Sequence, residues 1–425
     1  MVTEKIPQHI KYDAAQVLSS VRALLKWLLI GCGAGVIVGC AASAFAHVLI
    51  WVNDFRAAHP MIILGLPLAG LLIVFLYRIC KNSDDRGTNM VIASVHSSEH
   101  LRLRTAPLIF ISTAITHLFG GSAGREGAAL QLGGSIANQL GKFIKLNERD
   151  QHVIIMCGMS AGFSALFGTP LAAAIFSIEI ISVGIMHYSA LVPCVAASVS
   201  AHFMAQFLQV PPEVFHISPA AMNVSSFLRL VPLAACLGGV SVLFCIVLHK
   251  TEHHLEAKIK NQYVRILSAA VLVVALSMIP GNSIYLGSGM GIIEDIFHHG
   301  GNVVPYAFLL KMIFTGLTLG SGFKGGEIVP SLCIGAAFGC AAAPLFGFGP
   351  ELAAACGMIG VFCGVTNCPL SSLLLSFELF GFEGMPYYLV TVAISYMLSG
   401  YCGLYRAQKI MYSKTEARFI NTTTH

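Results

Sequence analysis

Two glycine-rich segments carry the residues whose types and spacing could do chemistry. From Gly120 to Leu130 the chain reads G-G-S-A-G-R-E-G-A-A-L, which sets Arg125 and Glu126 between glycines and just ahead of an apolar helix. From Gly320 to Leu332 it reads G-S-G-F-K-G-G-E-I-V-P-S-L, which places Lys324 and Glu327 in the same way. Glycines leave backbone N–H groups open, and a helix start adds about half a positive charge. Two such ends converging form a mostly backbone-lined site for a small anion. A carboxylate there has a specific consequence: charged Glu126 occupies the anion's place, and protonated Glu126 does not compete. Proton and anion binding are then linked through one side chain. The competing expectation is a structural ion pair between Arg125 and Glu126. Glu327 has no acidic counterpart in the first segment, where Ala128 and Ala129 stand nearby, and is the second acidic candidate.

These residues are positioned by an internal repeat. The stretch C-G-M-S-A-G-F-S-A-L-F-G-T-P-L-A-A-A-I-F-S-I-E-I, from Cys157 to Ile180, aligns without a gap on C-G-M-I-G-V-F-C-G-V-T-N-C-P-L-S-S-L-L-L-S-F-E-L, from Cys356 to Leu379. Gly87-Thr88-Asn89-Met90 pairs with Gly287-Ser288-Gly289-Met290, and Ala129–Gly133 pairs with Ser331–Gly335, at nearly the same separation. Glu179 and Glu378 end their apolar segments in both copies, which predicts a shared structural role such as anchoring a helix end. The expected organisation is a segment at 1–20, a first repeat at 21–210, a linker at 211–227 around Pro211-Pro212-Glu213, a second repeat at 228–410 and a tail at 411–425. Repeats of this kind often lie inverted in a membrane with the substrate site between them, built from short, Gly/Pro-interrupted helices. Ala128–Leu140 and Pro369–Phe380 are too short to span and predict helices broken near mid-bilayer.

Composition places the chain in that membrane. Of 425 residues, 56% are apolar and 11% charged, where a soluble chain carries about 25% charged residues. Leu24–Leu49, Met61–Tyr77, Leu228–Leu248 and Val264–Ile279 are continuous apolar runs, several reaching the roughly 20 residues a spanning helix needs. Continuous runs argue for helices over a barrel. The first run is too long for the apolar region of a signal peptide. Lys5, Lys11 and Arg22 before it and Lys26 near its start, with Arg406, Lys409, Lys414 and Arg418 at the end, predict both termini in the cytoplasm. Thirteen cysteines, most set singly in apolar stretches and none in a C-x-x-C pair, read as helix-packing residues. The His253-His254 and His298-His299 pairs read as loop residues, so no metal site is expected, nor a cofactor. No basic stretch is interleaved with aromatics, which argues against nucleic acid. An intramembrane enzyme would need H-E-x-x-H or G-x-S-x-G, and neither occurs.

Gly124-Arg125-Glu126-Gly127 resembles the G-R-E-G gate motif of the CLC family of chloride channels and anion/proton antiporters. The similarity extends through the repeat, Gly326-x-x-x-Pro330 and Gly403-Leu404-Tyr405. It implies an all-α polytopic fold, a CLC-type inverted repeat of tilted and broken helices, assembled as a homodimer with one pore per subunit. Glu126 is implied as the gating glutamate. Backbone around Gly127, Glu327, Ile328 and Val329 would line the anion site, with Thr88, Asn89, Arg125 and the Tyr405 hydroxyl also implied as anion-binding. No soluble regulatory domain is expected after Tyr405. The departures carry the substrate argument. Chloride-selective members have G-S-G-I-P where this chain has Gly87-Thr88-Asn89-Met90-Val91. Chloride/proton antiporters carry an inner glutamate at the position of Ile180. Gly325-Gly326-Glu327 replaces a more apolar Gly-Gly-Ile-Phe type segment. Together these resemble the bacterial fluoride/proton antiporter branch, although some of its members carry Met at position 88 and Thr at 329. A hydroxyl at 88 is closer to the chloride pattern. The expectation is a fluoride/proton antiporter of the bacterial inner membrane, multi-pass, whose partners are fluoride (or chloride), protons and the bilayer. The alternative is a chloride/proton antiporter or a voltage-gated-type chloride channel.

Overall fold

The computed structural model describes residues 8–96, 101–300 and 303–424. The first run of helices is α1 (Gln8–Ala58), α2 (Leu66–Ile79), α3 (Thr88–His96), α4 (Thr105–Leu118), α5 (Glu126–Phe143), α6 (Glu148–Phe167), α7 (Pro170–Glu179) and α8 (Leu191–Phe207). The second run is α9 (Val224–Lys258), α10 (Gln262–Ser277), α11 (Met290–His299), α12 (Ala307–Gly320), α13 (Ile328–Phe346), α14 (Pro350–Thr366), α15 (Pro369–Phe380) and α16 (Met385–Leu398). Five described helical stretches are long and apolar enough to cross a bilayer. The apolar helices α4, α7, α10, α12, α14, α15 and α16 are shorter, at 10–17 residues; Pro369–Phe380 is α15 as expected, whereas Ala128–Leu140 lies within the 18 residues of α5.

The same close approach holds each half together. α5 packs on α6 through Gly133 and Gly158, and α13 packs on α14 through Gly335 and Gly357. A Cβ at Gly133 would sit 2.0 Å from the Gly158 carbonyl oxygen, and one at Gly357 would sit 2.0 Å from that of Gly335. Only glycine lets two membrane helices meet backbone to backbone this way.

α7 and α15 tie the halves to each other. The Glu378 carboxylate, on α15, accepts from the backbone N–H groups of Leu171 and Ala172 at 2.8 Å each, capping α7. The Glu179 carboxylate, on α7, accepts from Leu370 N at 3.1 Å, Ser371 N at 2.8 Å and the Ser371 hydroxyl, capping α15. Both helices begin with proline, which lacks one of the four orphan donors. Each carboxylate satisfies much of the remainder at the partner helix, where the helix field also favours its charge.

Three boundaries differ from the sequence expectation. α1 starts at Gln8, so 1–20 is not a separate segment within the described residues. No glycine or proline stands between Gln8 and Ile30 to stop it. Lys5 lies outside the described residues, as do the side chains of Lys11 and His299. The connection between the halves covers 208–223 rather than 211–227, because a capping box between Asn223 and Ser226 starts α9 early. The end of the chain is not a loose tail from 411. β2 (Lys409–Tyr412) pairs parallel with β1 (Ser182–Val183) and antiparallel with β3 (Phe419–Thr423), a three-stranded exception to the helical fold. Lys414, read as a topology marker, donates to the Tyr396 carbonyl at 3.1 Å and the Ser399 hydroxyl at 2.8 Å, at the C-terminus of α16. A cation belongs there, beside unpaired carbonyls.

Candidate functional site

The glycine-rich segments meet. Gly124 N donates to the Gly326 carbonyl and Gly326 N to the Gly124 carbonyl, each at 2.7 Å. This two-bond bridge brings the N-termini of α5 and α13 together at the junction of the halves. Neither helix has a side-chain bond from its N-cap residue, Arg125 or Glu327. The amides of the first turns, including Gly127, Ile328 and Val329, are therefore not capped by those residues. Ile328 and Val329 are fully or nearly fully buried.

Glu126 is the first residue of α5 and has no exposed surface. Its Oε2 accepts from Arg125 N at 3.1 Å and its Oε1 from Arg125 Nε at 3.3 Å. The carboxylate thus lies on the amide end of its own helix, where an anion would be held, and it is also paired with Arg125. The Arg125–Glu126 ion pair that the sequence offered as one reading is present. Arg125 reaches further, and its Nη2 donates to Glu213 Oε1 at 2.6 Å. Burial pushes the Glu213 carboxyl up from its ordinary value, and the Arg125 guanidinium pulls it back down.

Glu327 is half-buried, and its enclosed Oε2 has no hydrogen-bond partner among the described residues. A Cβ on Gly127 would lie 3.1 Å from that oxygen. The Tyr405 hydroxyl is likewise buried and unpartnered among the described residues, and it interacts electrostatically with both Glu327 and Glu126. Two polar groups with unused capacity therefore converge on the α5–α13 junction. Thr88, the first residue of α3, spends its hydroxyl proton on the Gly127 carbonyl at 3.3 Å. Asn89 accepts from Ala407 N at 3.0 Å through Oδ1. Both lie at the site's edge, with their bonds directed at backbone.

Asn89 and Glu327 also line a cavity of about 730 Å³ that opens between α9, α10 and the segments before α3 and α13. Asp85 and Lys324 shape its wall. Gln131 Nε2 donates to Asp85 Oδ1 at 2.6 Å, and Lys324 Nζ lies 3.4 Å from Asp85 Oδ2 and 4.6 Å from the Tyr77 ring centroid. Lys324 therefore pairs with Asp85, not with Glu327 as Arg125 does with Glu126.

Sequence reading missed four residues of this neighbourhood. Lys311, fully buried on α12, donates to the Ser122 hydroxyl at 2.9 Å and to the carbonyls of Tyr285 at 3.0 Å and Gly287 at 2.7 Å. It rivets the Gly120–Gly124 loop to the segment before α11. An ionisable residue inside an apolar helix was the available signal. Glu213 sat in the segment read as a linker, and Asp85 and Gln131 were not singled out.

Among known proteins, the family model for voltage-gated chloride channels matches residues 68–400. A chloride/fluoride channel protein of Pseudomonas syringae pv. tomato is 34% identical over 410 residues, covering 95% of this chain and 91% of that one. The crystal structure of a CLC-type fluoride/proton antiporter superposes with a TM-score of 0.88 at 33% identity, covering 91% of this chain and 98% of that one. An H(+)/Cl(−) exchange transporter of Yersinia pestis is 24% identical over 83% of this chain and 80% of its own. A slow cyanobacterial Cl−/H+ antiporter shares the fold at a TM-score of 0.74 and 19% identity. With its helical inverted halves, its paired glycine-rich helix starts and these matches, the chain belongs to the CLC family of anion channels and anion/proton transporters, which are integral membrane proteins.

Proposed function

We propose that this protein exchanges fluoride for protons, exporting fluoride from the cytoplasm, with Glu126 as the gate that couples the two. The observation that carries the reading is the Glu126 carboxylate lying on the α5 amide end, bonded to Arg125 N at 3.1 Å. In that position the charged side chain and a bound anion exclude one another. Protonation removes the side chain's claim on the amides and admits the anion. Glu327 lines the cavity and lies beside Gly127, which supports a role in passing the proton onward. Ile180, fully buried, supplies no ionisable group on the route that chloride/proton antiporters use.

Fluoride over chloride is supported by three features. Two relatives above 30% identity have fluoride in their names, one of them beside chloride. The Thr88 hydroxyl is turned to the Gly127 carbonyl rather than offered to an anion. The Tyr405 hydroxyl remains as a strong donor, and fluoride demands strong donors because it surrenders tightly held water. We further assign the protein to the bacterial inner membrane as a homodimer with both termini cytoplasmic, on the basic terminal residues and the family's architecture. The test is efflux of fluoride and of chloride from liposomes carrying the purified protein, compared side by side with external pH recorded. Fluoride efflux with proton uptake and weak chloride movement supports the reading. Equal or faster chloride movement sinks the fluoride assignment and leaves the chloride/proton exchanger.

A further inference from the structure

The segment joining the halves reads as a spacer in sequence, but it is fixed at two points. Pro212 packs over Gly168, the left-handed residue that ends α6 at φ +77°, where a Cβ would lie 2.9 Å from the proline ring. Phe215 N donates to the Leu379 carbonyl at 2.8 Å, and its ring stacks on Phe297 at 4.7 Å and lies 6.0 Å from Phe380. Glu213 stands between these anchors, so its carboxylate is delivered to Arg125 by packing rather than by chance.

Its location is defined by α9. That helix begins at Val224, just after the segment, and its far end at His249 and Glu252 lines the 730 Å³ cavity. At 35 residues it is about 50 Å long. Glu213 thus reaches Arg125 from the segment that precedes α9, whereas the cavity is lined by the far end of that helix. The Arg125 guanidinium is shared by two carboxylates through different nitrogens, at 2.6 Å to Glu213 and 3.3 Å to Glu126. Glu213 holds the closer contact.

We propose that Glu213 is a positioning residue for the gate: by holding Arg125 it weakens that residue's grip on Glu126. This rests on the reading of Glu126 as the gate. Without Glu213, Arg125 pairs with Glu126 alone, and charged Glu126 is harder to protonate and displace. The other titratable groups facing this cluster are His117 of α4, on the Gly124 carbonyl at 3.3 Å, Glu327 beside Gly127, Tyr405, and Glu294 of α11 alongside Glu213. None of them bonds the Arg125 guanidinium.

The experiment is the pH profile of fluoride efflux from proteoliposomes for the wild type, Glu213→Gln and Glu213→Asp. An opposite charge nearby is worth about one pH unit or more on a carboxylate. Glu213→Gln is therefore expected to move the profile roughly one unit to acid, lowering flux at neutral pH about tenfold and recovering it in acid. Glu213→Asp, with the charge kept but withdrawn by one methylene, shifts the same way by less. On a Glu126→Gln background, Glu213→Gln should change nothing further. A uniform loss at every pH, an unchanged profile, or an added loss on the Glu126→Gln background overturns the proposal. Should Glu213→Gln fail to fold, Glu213→Asp decides, and an unshifted profile there overturns it. Absence of proton-linked flux in the wild type is a separate result, which removes the gate reading itself and this inference with it.

Discussion

Replacing Gly326 by alanine perturbs the bridge where both halves meet at the proposed anion site. The added Cβ would stand 2.6 Å from Gly127 N and 3.2 Å from Glu126 N. A carbon needs about 3.5 Å, so the two segments must part by roughly 1 Å. The Gly124–Gly326 bonds, now 2.7 Å, would stretch past hydrogen-bond range. Two backbone bonds are worth about 1 kcal/mol each, and forced overpacking costs about 1–3 kcal/mol more. The expected destabilisation is about 3–5 kcal/mol, and the Gly127 amide is carried off the anion position. Fluoride efflux should fall about tenfold or more, since a 1 Å misplacement of a binding group costs factors of that order or larger. The assay is efflux from proteoliposomes together with the fraction remaining monodisperse after heating in detergent. Gly239→Ala is the control, because nothing lies within 4 Å of a Cβ there on α9. Wild-type flux and unchanged heat resistance in Gly326→Ala would refute the bridge as a structural element of the site.

The crossed caps predict an order of stabilities. Glu179→Ala should cost roughly 3–5 kcal/mol and Glu378→Ala less, because Glu179 is nearly buried and accepts three bonds where Glu378 accepts two; heat resistance in detergent ranks them, and the reverse order contradicts the assignment. Glu327→Gln should leave fluoride movement but lower the protons moved with it; intact coupling in paired flux recordings would end the relay role. Asp85→Ala removes the partner of Lys324 inside the cavity wall and should cost about 3 kcal/mol by the same melting assay; no change would mean Lys324 is held by the Tyr77 ring and water.

What could be read from sequence was whatever the backbone does locally. Gly124–Gly127 and Gly325–Glu327 identify themselves, because glycines ahead of an apolar helix leave amides open wherever the fold puts them. The repeat revealed that Glu179 and Glu378 share a role. It did not reveal that each carboxylate caps the other half's helix, since that depends on how α7 and α15 cross. Glu213 was invisible because its partner is 88 residues away, and a Pro-Pro-Glu stretch has the composition of a spacer. Lys311 stood out only as a charge in an apolar run. The terminal hairpin was missed because strands of four and five residues carry almost no periodic signal. Thr88 shows the limit most plainly, since its identity pointed to an anion-binding hydroxyl while its bond goes to the Gly127 carbonyl.

The coupling claim is tested most directly by recording fluoride and proton movement together in proteoliposomes, for the wild type and for Glu126→Gln. The account predicts that the wild type takes up protons as fluoride leaves and that a fluoride gradient drives protons uphill. Glu126→Gln, which can neither charge nor release a proton, should abolish the proton signal whatever anion flux remains. Proton movement persisting with fluoride in Glu126→Gln would contradict the assignment of Glu126 as the residue that joins the two.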